Sequence, residues 1–482
     1  MQPVEIKKDI FWVGCVDYDH RDFHGYSRSP EGSTYNAYLI RDEKNVLMDT
    51  VYPGWAGNML CRIAKIMDPE KIDYIVCNHM EPDHAGSLAE VVARVKPEKI
   101  FVSTLGYKSM QGYFDCKDWP IEVVKSGDKL NIGKRNIIFQ ETRMLHWPDS
   151  MVSYIPEDKL LISNDAFGQN IATSYRYADE HDQGDFVRAI KEYYYNIVLP
   201  YSPQVLKTLP IVESLDIDMI APDHGLIHRG EKSVKFIVDM YRQMAEQKPQ
   251  QRAMVIYDTM WHSTEKMAYA VCSGLEEVGV PTRLMSVKSN HHSEIMTELA
   301  NCGAVIAGSP THNNTIMPLM ASTLTYMKGL RPQNRVGGAF GSFGWSGESA
   351  KVLHEMLASM GMDMPADFVK CNWTPRHEAL RACVELMEAD PARLRHRNSF
   401  NIASMSFTPD IIAAEIRKRI PSFTMDFNID PVKEEIARSW PDSLDDTCAR
   451  EEWGWRPEWD LSRMTDDMLA AIRSRTAHPR HA

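Results

Sequence analysis

Apolar and polar positions change rhythm twice along the chain. Over residues 1–248, short apolar runs of strand length stand between turn residues: "STYNAYLI", "NVLMDT", "KIDYIVC", "EKIFVST", "RNIIFQETR" and "KLLISND". Helical periodicity lies between some of them, as in "GNMLCRIAKIM" and "GSLAEVVARV". The polar, proline-containing "AEQKPQQR" (245–252) has no periodicity and marks a boundary. Strand and helix patterns then alternate strictly, from "AMVIYDT" and "STEKMAYAVCSGLEEV" to "PADFVKCNW" and "HEALRACVELMEA". Five such βα repeats predict a doubly wound parallel sheet over 252–395. After the junction "ADPARLRHR", residues 398–482 read as a small α+β appendage with a short strand, a Thr-Pro helix start and an amphipathic helix.

Length and composition narrow the class. A chain of 482 residues is expected to hold two or three domains, and 44% hydrophobic with 25% charged residues is a globular balance. The net charge of −12 argues against nucleic acid as the main partner, which needs a basic footprint. The N-terminus lacks the apolar core and cleavage site of a signal peptide, and no apolar run reaches the roughly 18 residues of a membrane span. Nine scattered cysteines form no C-x-x-C pair. That excludes a Cys-ligated rubredoxin-type or zinc-ribbon module from this sequence and fits reduced thiols, so a cytoplasmic location is expected.

The densest chemistry lies in "VCNHMEPDHAGSL", where His79, Glu81, Asp83 and His84 follow the buried run "KIDYIVC". Four ligand types in six positions at a strand end are hard to explain as surface pairs. His146 in "MLHWPDS", Asp165 in "LISNDAFG" and His224 in "APDHGLI" complete two four-ligand shells if one carboxylate bridges. A zinc hydrolase would be expected to carry histidine where Glu81 stands. The glutamate adds a hard anionic oxygen, giving two histidines and carboxylates per metal with open positions, a set that suits iron.

The second constellation opens the doubly wound region. "IYDTMWHSTEKMA" presents a hydroxyl-rich loop, Thr259, Met260, Trp261, His262, Ser263 and Thr264, between a strand and its helix. Backbone N–H groups, the helix dipole and the hydroxyls suit a terminal phosphate, and the missing P-loop lysine argues against a nucleoside triphosphate. "GSPTHNNT" (with Pro310, Thr311, His312, Asn313 and Asn314) and "GSFGWSGE" (with Ser342, Phe343, Gly344, Trp345 and Gly347) follow the third and fourth strands. Both are expected at the carboxyl edge of the sheet, beside the crevice where ligands bind. Their small residues admit a flavin ring, with Trp345 or His312 packed near it.

The order H-x-E-x-D-H, then His146, Asp165 and His224, followed by flavodoxin-like loops, resembles the flavodiiron proteins over roughly residues 1–395. The resemblance implies a metallo-β-lactamase-like αββα domain (1–248) followed by a flavodoxin-like FMN domain (252–395). It implies one iron on His79, Glu81 and His146, another on Asp83, His84 and His224, and Asp165 between them. In some members water replaces the histidine matching His84. It places His24 and Tyr26 of "RDFHGYS" beside the diiron pocket as candidate catalytic residues. The implied activity is reduction of O2 to water, of NO to N2O, or both. A separate rubredoxin would donate electrons, and a head-to-tail homodimer, or a tetramer, would bring the FMN of one subunit to the diiron centre of the other.

Two other readings compete: a binuclear metallo-hydrolase fused to a flavodoxin, and a non-enzymatic electron carrier. Glu81 and the flavin loops count against the first, and the full ligand set against the second. The tail departs from the pattern. "SFNIASMSFTPDIIAAEIRKRIP" and "SWPDSLDDTCAREEWGWRPEWDLSRMTDDML" are similar to the C-terminal end of an L-threonine dehydrogenase of the extended short-chain type. The rest of such an enzyme is missing, no Tyr-x-x-x-Lys catalytic pair is expected anywhere in the 482 residues, and no dehydrogenase activity is expected.

Overall fold

A computed structural model describes every residue except 1, 376–380, 382–384, 386–388, 391, 396–399, 439–440 and 478–482. The chain packs as two compact units: residues 1–250 with 289–303 and 323–335, and residues 251–288 with 304–322 and 336–482. Among the described residues no helix is long and apolar enough to cross a membrane.

The first unit is built on two sheets. The seven-stranded sheet runs Val4–Lys7, Ile10–Trp12, Tyr38–Ile40, Val46–Met48, Tyr74–Cys77, Lys99–Ser103 and Ile121–Val124 in spatial order. The six-stranded sheet runs Lys129–Asn131, Asn136–Glu141, Met151–Ile155, Leu160–Asn164, Met219–Pro222 and His228–Arg229. Side chains alternate across a strand. Tyr38, Ile40, Val46, Met48, Val76 and Phe101 join Phe139, Ile155 and Ile162 in a core between the sheets. Leu39, Leu47, Ile75 and Val102 point the other way, into a second core with Met59, Ile63, Val91 and Val95 of the helices Ala56–Ile63 and Leu88–Val95. Both faces of the central strands of the first sheet are therefore buried, which is why those strands read as apolar runs. Each such side chain, fully buried, contributes about 1.5–3 kcal/mol.

One expected strand is two. "STYNAYLI" breaks at Asn36 into Ser33–Tyr35, paired with Cys15–Asp17, and Tyr38–Ile40 in the large sheet. Asn36 is the cause: its amide donates to the carbonyls of Pro222 and Gly225, and its side-chain oxygen accepts from Trp12 Nε1. These bonds draw the backbone out of both ladders and fasten it beside His224.

In the second unit five parallel strands lie in the order Thr282–Ser286, Ala253–Tyr257, Ala304–Gly308, Val336–Phe343 and Val369–Asn372. In chain order that is 2-1-3-4-5, the doubly wound arrangement with its switch point between the first and third strands. The helix expected over "HEALRACVELMEA" and the junction near 395–398 lie largely outside the described residues.

The appendage differs from expectation. Its described residues form the helices Pro409–Arg417, Pro431–Arg438, Thr447–Glu452 and Leu461–Ala477, and no strand. Thr408 caps the first by accepting from the Ile411 amide, as the Thr-Pro start predicts. Phe400 and Ile402 pack instead against Trp453 and the buried Trp455. With no neighbouring edge to pair with, apolar alternation alone makes no ladder. A Tyr-x-x-x-Lys spacing does occur, at Tyr113 and Lys117, but outside the tail and across the end of the helix Thr104–Tyr113.

Candidate metal centre and cofactor cleft

The metal constellation forms where strands end. After Tyr74–Cys77 the chain bends at Asn78, and His79 and Glu81, two apart, come together with Nε2 and Oε2 3.1 Å from each other. Pro82 then opens the short helix Pro82–Ala85, and the turn carries Asp83 and His84 to a second position. His146 lies in the loop before Met151–Ile155, Asp165 follows Leu160–Asn164, and His224 follows Met219–Pro222.

All seven residues converge in two groups, His79, Glu81, His146 and Asp165, and Asp83, His84 and His224. None is more than 6% exposed, so four imidazoles and three carboxylates share a site that water cannot solvate. Glu81 Oε2 stands 3.1 Å from His79 Nε2 and 3.2 Å from His146 Nε2. Asp83 Oδ2 is 3.1 Å from His224 Nε2, and Asp83 Oδ1 is 3.5 Å from His84 Nε2. Asp165 spans the groups. Its Oδ2 lies 3.4 Å from His79 and 3.5 Å from His146, and its Oδ1 lies 3.0 Å from His84 and 3.5 Å from His224.

Burial opposes charge on these imidazoles, but the carboxylates outweigh it. Asp149 and Glu81 hold His79 well above the usual histidine range, Asp83 and Asp165 do the same for His84, and His146 is pushed up to about 9 by Asp165 and Glu81. Burial opposes charge on Glu81 and Asp165 too, yet the histidines hold both carboxyls well below theirs. Such a cluster binds protons where metal is absent and releases them to metal. Asp83 Oδ1 and Asp165 Oδ2, both buried, have no hydrogen-bond partner. The donor set therefore fits two metal ions.

Several supporting groups were not singled out from sequence. Asp149 Oδ2 accepts from Met80 N at 2.8 Å and lies 3.1 Å from His79 Nδ1, which turns His79 Nε2 to the site. His224 Nδ1 donates to the Thr34 carbonyl at 2.7 Å, and the Tyr193 hydroxyl donates to Asp165 Oδ1 at 3.0 Å. Asp149 stood three positions after His146 in "HWPDS", a signal that could have been read; Tyr193 and Thr34 left none. Outer-shell carboxylates of this kind typically govern metal affinity by about 10–100-fold. Asp149→Asn, which keeps the shape but not the charge, is expected to weaken iron binding within that range. Titration of the metal-free variant with ferrous iron checks it, with circular dichroism unchanged.

His24 Nε2 lies 2.5 Å from Glu81 Oε1, and Tyr26 stacks on His24 with ring centroids 5.7 Å apart. Trp147 meets the His79 ring edge-on at 5.1 Å.

In the second unit the loops at the carboxyl edge of the sheet enclose a cleft of about 810 Å³, within the usual size of a cofactor pocket. Met260, Trp261 and Ser263 line it from the first loop, Pro310 to Asn314 from the second, and Ser342 to Trp345 from the third. Thr259, His262, Thr264 and Gly347 do not line it. Thr264 Oγ1 bonds Ser342 Oγ at 2.8 Å, joining two loops, and His262 Nδ1 turns to Glu265 at 2.6 Å. A Cβ on Gly347 would lie 3.2 Å from Phe343 and Lys370, so packing explains that glycine. Thr259 Oγ1 is buried and unpartnered, an orphan hydroxyl beside the helix start Ser263. Trp261 and Trp345 are 87% and 89% exposed, as walls suited to a planar ring. Ser346, Trp373 and Thr374 also line the cleft. The last two follow the fifth strand, Val369–Asn372, whose carboxyl edge was the available signal. This set fits FMN.

Known proteins match both parts of the chain. Residues 34–225 match the ODP family beta lactamase, and residues 255–386 match flavodoxin. The rubredoxin-oxygen oxidoreductase of Megalodesulfovibrio gigas is 53% identical over 379 residues, 78% of this chain and 94% of that protein. The nitric oxide reductase of Moorella thermoacetica is 40% identical over 397 residues, 82% of this chain and 99% of that protein. Among solved structures, rubredoxin oxygen:oxidoreductase from Desulfovibrio gigas matches with a TM-score of 0.79 at 52% identity, covering 80% of this chain and 97% of that one. The flavodiiron protein from Giardia intestinalis matches at 0.76 and 33% identity, covering 80% and 94%. With a β-lactamase-like half, a flavodoxin half and relatives of this identity along most of its length, the chain belongs to the flavodiiron family.

Proposed function

We infer that this protein is an oxidoreductase that passes electrons from rubredoxin through FMN to a non-haem diiron centre, reducing O2 to water, NO to N2O, or both. The observation that carries it is Asp165, which offers one oxygen to each half of a buried seven-residue cluster in which Glu81 stands in place of an imidazole.

His79, Glu81 and His146 would hold one iron and Asp83, His84 and His224 the other, with Asp165 bridging. FMN, held by the hydroxyl loop 259–264 and the two later loops, would accept electron pairs and release electrons singly, and iron would deliver them to the gas. The chain's own residues do the rest. Asp149 and the Thr34 carbonyl fix the ring orientations of His79 and His224. Tyr193 holds Asp165 in place by its hydroxyl. His24, in contact with Glu81 and stacked on Tyr26, is placed to donate a hydrogen bond or a proton to a gas bound beside Glu81. The buried walls keep bulk water from the centre. A head-to-tail homodimer that brings the FMN of one subunit to the diiron centre of the other completes the proposal.

The test is anaerobic turnover of the purified protein with reduced rubredoxin, comparing O2 and NO on one preparation with iron and FMN quantified. Two irons and one FMN per chain, with consumption of at least one gas, are expected. Two zincs with ester or lactam hydrolysis would overturn the proposal.

A further inference from the structure

The residue that touches Glu81 sits at the tip of a small hairpin. Asp22–Phe23 pairs with Ser27–Arg28, and His24 and Gly25 between them have φ of 59° and 76°. That left-handed backbone is unfavourable for a residue with a side chain, so the tip needs external support. A two-stranded hairpin is marginal alone.

The support comes from another stretch of the first unit. His292, at the start of the helix His292–Leu299, donates from Nε2 to the Tyr26 carbonyl. Ser293 Oγ accepts from the Arg28 amide at 3.0 Å, and Glu294 pairs with the Arg28 guanidinium at 3.2 Å. Tyr326 packs edge-on to Tyr26 at 5.6 Å and against His292 at 4.4 Å, and its hydroxyl donates to Asn196 at 2.8 Å. Asn196, 4% exposed, also donates to the Ser293 carbonyl at 3.2 Å, which fixes this assembly to the body of the unit. Three consecutive residues thus grip Tyr26 and Arg28 of the hairpin that carries His24.

We propose that His292 is a positioning residue for the diiron pocket: by holding the Tyr26 carbonyl it seats the hairpin so that His24 reaches Glu81. The proposal rests on the reading of His24 as part of the reaction. It assigns His292 no contact with substrate or metal.

His292→Ala is expected to raise amide hydrogen exchange at residues 22–29 and to lower turnover, each by about fivefold, the net worth of one hydrogen bond. His292→Gln, which keeps an N–H donor, should restore both. In a His24→Ala background, His292→Ala should lower turnover no further, because the two act in series. Unchanged exchange at 22–29 in His292→Ala would overturn the proposal, as would an equal loss of turnover in the His24→Ala background. If His24→Ala alone left turnover intact, the role of His24 would fall, and exchange at the hairpin would still decide whether His292 seats it.

Discussion

Asp165→Ala is expected to abolish gas reduction while leaving FMN in place. Asp165 is the one carboxylate whose two oxygens face different halves of the cluster, at 3.4 and 3.5 Å from His79 and His146 and at 3.0 and 3.5 Å from His84 and His224. Its loss leaves two imidazoles and one carboxylate on each side, with nothing shared. It also strands the Tyr193 hydroxyl, whose acceptor is Asp165 Oδ1. Changes to outer-shell partners cost about 10–100-fold in metal affinity, so loss of a shared ligand should exceed the upper end, ~100-fold. The protein should purify with fewer than two irons per chain, an unaltered flavin spectrum, and turnover at least ~100-fold down. Asp165→Asn separates charge from shape: it keeps a polar group near Tyr193 but lacks the anion that two cations need. Two irons and ordinary turnover in either variant would show that Asp165 does not bridge.

How far the site could be read in advance follows from where its residues lie. His79, Glu81, Asp83 and His84 were legible because one strand end and one helical turn deliver all four, and local spacing is what a sequence displays. His146, Asp165 and His224 were legible because each ends or follows an apolar strand pattern. Tyr193 was not. It ends the helix Gln183–Tyr193, and nothing local marks its hydroxyl as aimed at Asp165. His292 was hidden for the same reason, since its partner is a carbonyl 266 positions away. The sheets were legible where both faces are apolar. The strand pattern failed at Asn36, where polar bonds to Pro222 and Gly225 override propensity, and in the tail, where alternation had no edge to join. Trp373 lines the cleft from just past the fifth strand, Val369–Asn372, where no hydroxyl- or glycine-rich loop marks the sequence.

Glu81→His tests why the centre should be redox iron and not hydrolytic zinc. The glutamate gives the first metal position its own anion, 3.1 Å from His79 and 3.2 Å from His146, and its other oxygen holds His24 at 2.5 Å. An imidazole there makes a three-histidine set. Zinc is bound well by such ligands, whereas the higher charge of oxidised iron is better met by hard carboxylate oxygen. The change also removes the acceptor of His24, so the hairpin tip loses its tie to the site. The variant should purify with zinc replacing iron when both metals are supplied, and its turnover of O2 or NO should fall by at least ~100-fold. Hydrogen exchange at residues 22–29 should rise, since nothing then holds His24 from the metal side. Metal analysis and anaerobic assay on the same sample decide it. A variant that keeps iron and reduces either gas at the parent rate would mean that the buried carboxylates at Asp83 and Asp165, not Glu81, select the metal.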